Sequence, residues 1–474
     1  MSTPSPALAL DAPRAEVLAF AAELIESAWR SFDHPRPDQP PIGGRVQDLL
    51  ALALPEHPSP VKRVLADAAA LLDESIAQPR PRYFAFVGSS GLEIGVIGDA
   101  LASCFDVNLA AWAAAATQAE EQAVRWVGSF LGYPAEAGSF TSGGTVSNLT
   151  ALAAARERAL PGSRADGLAG RRLAIYCSQE AHYSVLRAAE LLGVGSRSVR
   201  SLACDQDRRV RPDLVAAAIE RDLADGVVPV AVVATAGTTL TGAVDPIAAL
   251  ADVCERLGVW LHVDGAYGLP AAATELARPL FAGLERADSL ALDAHKWLYL
   301  PKACGVVLVR HRETLTHAFS HHEAYMPHER GPENAVDITL EYSRPFRALK
   351  LWLAFRAHGA EAFRVAIERN LRQAQLLQAS VEGHPELEPA LSRPQLSTVP
   401  FRHVPRSGGV DLNRHNAALA AAMQVDARVW VAPATIDGDV YLRPCFVNFR
   451  TTAEDVEALV EVALELGRGL VSSR

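Results

Sequence analysis

The chain has 474 residues, 49% of them hydrophobic and 21% charged, with 45 basic against 55 acidic side chains and a formal charge of −10. It is too apolar for a disordered polymer, too acidic (pI near 5.8) for a protein that grips nucleic acid or an anionic membrane, and long enough for two or three structural units. No apolar run approaches the ~20 residues of a membrane span, and the six dispersed cysteines, without a CxxC, fit reduced thiols in a cytoplasmic protein better than a disulfide framework or a zinc site.

The opening MSTPSPALALDAP has neither the basic start nor the long apolar stretch of a signal peptide and reads as a frayed arm. Residues 1–78 then show helical spacing in AEVLAFAAELIESAWRSF and SPVKRVLADAAALLDESI, joined by the proline-rich HPRPDQPPIGG. Two such helices have few partners of their own and must pack on something else. From 79 to about 350 short β-rich runs alternate with amphipathic helices. RRLAIYC, SRSVRSL, VPVAVVAT, VWLHVD, DSLALD and CGVVLVR are the strands, and SVLRAAELLG, PDLVAAAIERDLAD and PIAALADVCERLG are helices between them. This order predicts an α/β, doubly wound, mainly parallel sheet that binds ligands at the carboxyl ends of its strands. Residues 351–474 read as a small α+β unit: a helix, an irregular stretch, VWVAPATIDGDVYLRPCFVNF, and a closing helix TAEDVEALVEVALELGRGL. There is no internal repeat.

Four places carry chemistry. In FTSGGTVSNL (140–149) two glycines lead into a helix, where free N–H groups and a partial positive charge suit an anion such as phosphate. GxGxxG and GKT/GKS patterns are absent, which disfavours a nucleotide, and GSSG at 88–91 only approaches a GxSxG elbow. LHVDGAYG (261–268) sets Asp264 at a strand end, followed by small residues that let something flat lie close. SLALDAHKWLYLP (289–301) ends a strand at Asp293 and delivers His295 and Lys296, an amine that desolvation would make nucleophilic. AHYSVLRAA (181–189) places His182 after the strand RRLAIYC. Each has a plain reading too: a glycine turn capped by Thr145 or Ser147, a turn-capping Asp264, a snorkelling Lys296, and a core or capping His182. Together, a phosphate cradle, a strand-end carboxylate and a lysine 32 residues beyond it match the needs of pyridoxal 5′-phosphate. Its phosphate wants a helix N-terminus, its ring nitrogen a carboxylate, and its aldehyde a lysine.

From about Arg82 to Arg450 the chain resembles the pyridoxal-phosphate-dependent group II amino-acid decarboxylases of fold type I, which include aromatic-L-amino-acid, glutamate, histidine and diaminobutyrate decarboxylases. DAHKW (293–297), HVDGAY (262–267), ATAGTT (234–239) and SRPFRALKLW (343–352) carry the resemblance. It implies that Lys296 forms the Schiff base, that Asp264 partners the ring nitrogen, and that His182 and Ala266 flank the ring. It also implies that Gly144 and Thr145 bind the phosphate and that Thr239 and His295 contact the cofactor. Asp293 stands where some members have Asn; an Asp repels phosphate at close range unless reoriented. Tyr325, 29 residues after Lys296, matches the loop tyrosine that protonates the substrate carbon once carbon dioxide has left, which favours amine over aldehyde as product. An ordinary loop aromatic is the alternative. The histidines nearby (His317, His321, His322, His328) lack the carboxylate pattern of a metal site, and no metal is expected.

The resemblance further implies a homodimer clasped by the N-terminal helices, with active sites at the interface. Phe86, Trp112 and Tyr83 match the region that lines an aromatic substrate pocket, or are core residues. Arg344 and Arg347 either recognise a carboxylate or form structural ion pairs. The expected activity is decarboxylation of an L-amino acid, aromatic by preference. The rival readings are an aldehyde synthase or other lyase on the same scaffold, or a non-catalytic protein that keeps the cofactor.

Overall fold

Strands and helices in alternation build one large sheet in the computed structural model, which describes residues 10–36, 42–321, 334–406 and 409–472. Its strands are β1 (Ala137–Thr141), β2 (Leu173–Ser178), β3 (Val199–Leu202), β4 (Val228–Thr235), β5 (Trp260–Asp264), β6 (Ser289–Asp293) and β7 (Gly305–Val309), in the order β1-β7-β6-β5-β4-β2-β3. Neighbours β3, β2, β4, β5 and β6 pair in parallel, whereas β7 runs antiparallel to both β1 and β6. The reversal has a simple cause. Residues 294–304 hold only a four-residue helical turn, Ala294–Trp297, and are too short for the crossover that a parallel partner requires.

Both faces of this sheet are buried, and alternate residues of each strand go to opposite cores. On one face Tyr176, Val232, Leu261, Val263 and Leu290 pack with Val127 of the helix Ala115–Leu131, Ile219 of Pro212–Ala224 and Leu250 of Ile247–Leu257. On the other, Ile175, Cys177, Val233 and Trp260 meet Leu152 of the helix Gly144–Ala159 and Val185 of Ser184–Leu191. That two-sided burial is why the strands read as continuous apolar runs.

Two elements depart from the sequence reading. β1, AGSFT, has small residues in place of a β-branched run, and its pairing with β7 makes it a strand. The stretch read as irregular after the helix Ala348–Glu382 holds a helix, Leu412–Asp426, whose start is fixed by Asp411: its side chain accepts a bond from the Arg414 N–H at 3.0 Å. A second sheet, β8 (Leu387–Pro389), β9 (Phe401–His403), β10 (Pro433–Ile436) and β11 (Asp439–Leu442), pairs antiparallel in the order β10-β11-β9-β8. It packs with Leu419, Met423 and the closing helix Ala453–Ser472 around Phe401, Phe446 and Leu459. The helix Ala348–Glu382 is broken at Gly359, where φ is 74°; Leu351 and Ala354 pack with the large sheet and Leu377 and Val381 with the small one.

At the N-terminal end lie the helices Arg14–Phe32, Gly44–Leu50 and Val61–Asp73. The first and third bury no residue. No described helix is long and apolar enough to cross a membrane. All six cysteines are free thiols.

Candidate active site

The carboxyl ends of β1, β2, β4, β5 and β6 open onto a cavity of about 300 Å³. Its wall gathers Gly144 and Thr145 after β1, His182 after β2, Thr239 after β4, Asp264 and Ala266 at the end of β5, and Asp293, His295 and Lys296 at the end of β6. Residues scattered over more than 150 positions of sequence thus meet because parallel strands deliver their ends to one edge.

The residues fit pyridoxal 5′-phosphate. The sixteen-residue helix Gly144–Ala159 begins at the cavity with no side-chain cap, leaving its first N–H groups for an anion. A Cβ on Gly144 would lie 2.9 Å from the Ala266 methyl and 3.1 Å from Asp293 Oδ2, so only glycine leaves this cradle open. The buried hydroxyl of Thr235 and Oδ1 of Asp293, both in the cavity wall, have no hydrogen-bond partner among the described residues. Asp293 Oδ2 is 3.0 Å from Lys296 Nζ, so the carboxylate expected to oppose phosphate is turned to the lysine. His295 is held by its ring Nδ1, 3.2 Å from both N and O of Cys304.

At the opposite end of the cavity Asp264 Oδ2 accepts a bond from Asn148 Nδ2 at 2.8 Å, and Oδ1 accepts the Ala266 N–H at 3.1 Å. Asn148 also donates to Ser184 Oγ (2.9 Å), which lies 2.9 Å from His182 Nδ1. Burial holds the His182 proton affinity below its ordinary value, against the attraction of Asp264, so at neutral pH the ring is uncharged. Asn148 and Ser184 belong to the site, and the sequence reading passed over both. The only signal was their position in helices that start at the cavity, Ser184 as the first residue of its helix and Asn148 one turn into the other.

A second cavity of about 620 Å³ shares His182 and Thr239 with the first and continues past Phe86, Tyr183, Leu240 and Pro433 to Arg443. Arg443 is 5% exposed; its Nη1 donates to the Phe86 carbonyl (2.9 Å), while Nε and Nη2 have no partner among the described residues. It was also missed, although a single arginine inside the apolar run YLRPCFVNF is a visible anomaly. Of the three aromatics proposed for substrate, Phe86 lines this cavity. Tyr83 packs with Ala85, Ala432 and Trp430, and Trp112 is bound through its backbone N–H to Asn334 Oδ1; neither lines either cavity. Arg344 and Arg347 are structural ion pairs, Arg344 with buried Glu120 (2.7 and 2.9 Å) and Arg347 with Glu341 (2.6 Å). Tyr325, His322 and His328 lie outside the described residues.

A mostly parallel sheet with a lysine, a carboxylate and an anion-receiving helix at its carboxyl edge defines a pyridoxal-phosphate enzyme of fold type I. The chain belongs to the pyridoxal-dependent decarboxylase family, whose conserved domain matches residues 44–404, and it is a pyridoxal-phosphate-dependent amino-acid decarboxylase. It is 34% identical to an aromatic-L-amino-acid decarboxylase of Bacillus atrophaeus, over 87% of this chain and 86% of that protein. It is 31% identical to an L-2,4-diaminobutyrate decarboxylase of Rhizobium meliloti, over 90% and 86%. The crystal structure of Oryza sativa TDC with PLP and tryptamine superimposes with a TM-score of 0.90 at 26% identity, covering 99% of this chain and 100% of that one.

Proposed function

We propose that the chain converts an L-amino acid, aromatic by preference, to its amine and carbon dioxide, with Lys296 the lysine to which the cofactor is joined. The observation that carries this is the single cavity in which Lys296, Asp264 and the open helix N-terminus at Gly144 converge. When bound, pyridoxal phosphate supplies an electron sink for the pair released as the α-carboxylate leaves. Asp264, fixed by two N–H donors, holds the proton on the ring nitrogen. Gly144, Thr145 and the helix N-terminus neutralise the phosphate, and His182 and Ala266 bound the ring. His295, neutral through burial, sits beside Lys296 without competing for its charge.

The second cavity is the place for the substrate side chain. Phe86, Tyr183, Leu240 and Pro433 offer an apolar wall, and Arg443 Nε and Nη2, without a partner among the described residues, offer their N–H groups to a carboxylate. The similarity to the Bacillus atrophaeus protein supports the aromatic preference. Tyr325 is assigned the return of a proton to the substrate carbon. We also infer a homodimer: Leu18, Ile25, Val64 and Leu72 of the N-terminal helices are 41–70% exposed apolar side chains with no described partner surface.

The deciding experiment incubates the cofactor-loaded protein with a pool of L-amino acids and identifies products by mass spectrometry. An aromatic amine is expected. An amine from an aliphatic or acidic amino acid would overturn the preference, and an aldehyde would overturn simple decarboxylation. With Tyr325→Phe the product should move toward aldehyde while cofactor binding stays; an unchanged amine yield would remove Tyr325 from its role.

A further inference from the structure

The polar side chains behind Asp264 form a continuous buried column. Trp260 Nε1 donates to Ser289 Oγ (2.8 Å), Ser289 Oγ lies 2.8 Å from His262 Nδ1, and His262 Nε2 lies 3.0 Å from Asn148 Oδ1. Asn148 then donates to both Asp264 and Ser184. Trp260, Ser289, His262, Asn148, Ser184 and Asp264 are each at most 4% exposed, so no water can repair a mismatched pair.

The proton positions follow by elimination. An ionised Asp264 accepts only, so the Asn148 NH₂ must face it and the Asn148 oxygen must face His262. That oxygen can only accept, so the His262 proton is on Nε2. Burial drives the proton affinity of His262 down to about 4, so the ring carries one proton and Nδ1 is bare. Nδ1 therefore accepts from the Ser289 hydroxyl, whose oxygen is left to accept from Trp260, a donor only. On the other branch the second Asn148 N–H occupies Ser184 Oγ. The Ser184 backbone N–H points to His182 Nδ1 at 3.3 Å and makes that nitrogen an acceptor, so the Ser184 hydroxyl gives it its hydrogen at 2.9 Å while accepting from Asn148. His182 thereby keeps its own proton on Nε2. Reversing any one member leaves two donors or two acceptors face to face.

We propose that Asn148 is a positioning residue whose single amide holds Asp264 with one hydrogen and, with the other, the Ser184 hydroxyl that faces His182, with His262 keeping that amide in its one workable orientation. The proposal rests on the reading of Asp264 as the anchor of the cofactor ring nitrogen. It makes the carboxylate that holds the ring and the histidine beside it respond together, because both hydrogens of one NH₂ group serve them. The titratable groups facing Asp264 are His262 and His182, with Lys296 and Asp293 in the same cavity wall.

The test compares Asn148→Ala, His262→Leu and His262→Gln with the wild-type protein and with Asp264→Ala. Glutamine can place an N–H near the position of His262 Nε2; leucine fills the space without one. Far-UV circular dichroism checks folding, titration with pyridoxal 5′-phosphate gives Kd, and the bound cofactor's absorption is followed against pH. Asn148→Ala and His262→Leu should each weaken cofactor binding about tenfold and move the absorption midpoint by about one pH unit. His262→Gln should stay within about threefold of wild type. If folded Asn148→Ala matches wild type in Kd and pH midpoint while Asp264→Ala does not, the positioning role is wrong and the anchor stands. If His262→Gln fails as badly as His262→Leu, the histidine acts by packing and the proposal falls. If Asp264→Ala itself matches wild type, the anchor reading fails and takes this one with it. Should His262→Leu not fold, Asn148→Ala decides alone.

Discussion

Lys296 and Gly144 make opposite demands on side-chain size, and each gives a direct test. Among the described residues Lys296 is the only lysine in the cavity wall. Lys296→Ala should abolish turnover, and borohydride reduction followed by intact-mass measurement should show the cofactor adduct on wild type but not on the variant. A retained adduct would place the bond on another lysine. Gly144→Ala adds the one carbon that would lie 2.9 Å from Ala266 Cβ, where the next layer of the site is already packed. Pyridoxal phosphate affinity should fall at least about tenfold with little change in unfolding midpoint, because overpacking at an open cavity costs binding before it costs the fold. Among the site residues, those on strand ends were legible because an apolar run closing on Asp264 or on Asp293–Ala–His–Lys stands out. Asn148, Ser184 and Arg443 were not, since nothing local distinguishes a polar residue on a helix surface from one turned into a cavity.

Elements are tied to one another by a few buried charges. Arg344 holds Glu120 of the helix Ala115–Leu131 with both side chains under 8% exposed, and its backbone N–H is bound by Asn108. Arg344→Met should destabilise the protein by about 3–5 kcal/mol in chemical denaturation, because the glutamate is left buried without its partner. The double variant Arg344→Met, Glu120→Leu should recover much of that loss. A loss below 1 kcal/mol for the single variant would show the pair to be solvated. The six strands expected from sequence all formed: burial on both faces gives β4 its long apolar run, whereas β3, with Ser201 exposed, lies at the sheet edge. β1 escaped notice because its pairing is dictated by β7, 164 residues further on in register from Thr141 to Gly305, and not by its own residues. The direction of β7 likewise came from the shortness of the connection before it. In the small sheet, β8 and β9 are three residues each, below the length at which alternation can be read.

For the molecule as a whole, pH acts through histidines shut away from water. His403 on β9 lies 2.8 Å from His415 of the helix Leu412–Asp426, both fully buried, and burial with the neighbouring His415 lowers the His403 value to about 4. An unfolded histidine takes its proton near 6.5, so the unfolded chain gains protons first as the solution is acidified. The stability that the lowered His403 value contributes is complete above pH 6.5 and declines as pH falls towards 4; His262, also near 4, adds to the same slope. Denaturation midpoints from pH 7.5 to 4.5 should therefore fall, and His403→Gln should flatten the curve. An unchanged slope would mean that His403 takes up its proton equally in the folded and unfolded states. Light scattering should give twice the 50.7 kDa of the chain, and replacing Leu18, Ile25, Val64 and Leu72 by polar residues should return it to the single-chain mass.

The strands β5 and β6, whose ends reach the cavity, are covered on both faces, and their backbone amides lie in the innermost ladder of the protein. Local fraying cannot reach them, so amide hydrogens of Val263 and Leu292 should exchange with deuterium only when the large sheet comes apart altogether. The colour of the bound pyridoxal group then becomes an optical gauge of global unfolding: it should disappear at the same denaturant concentration at which those most protected amides are released, with no earlier bleaching step.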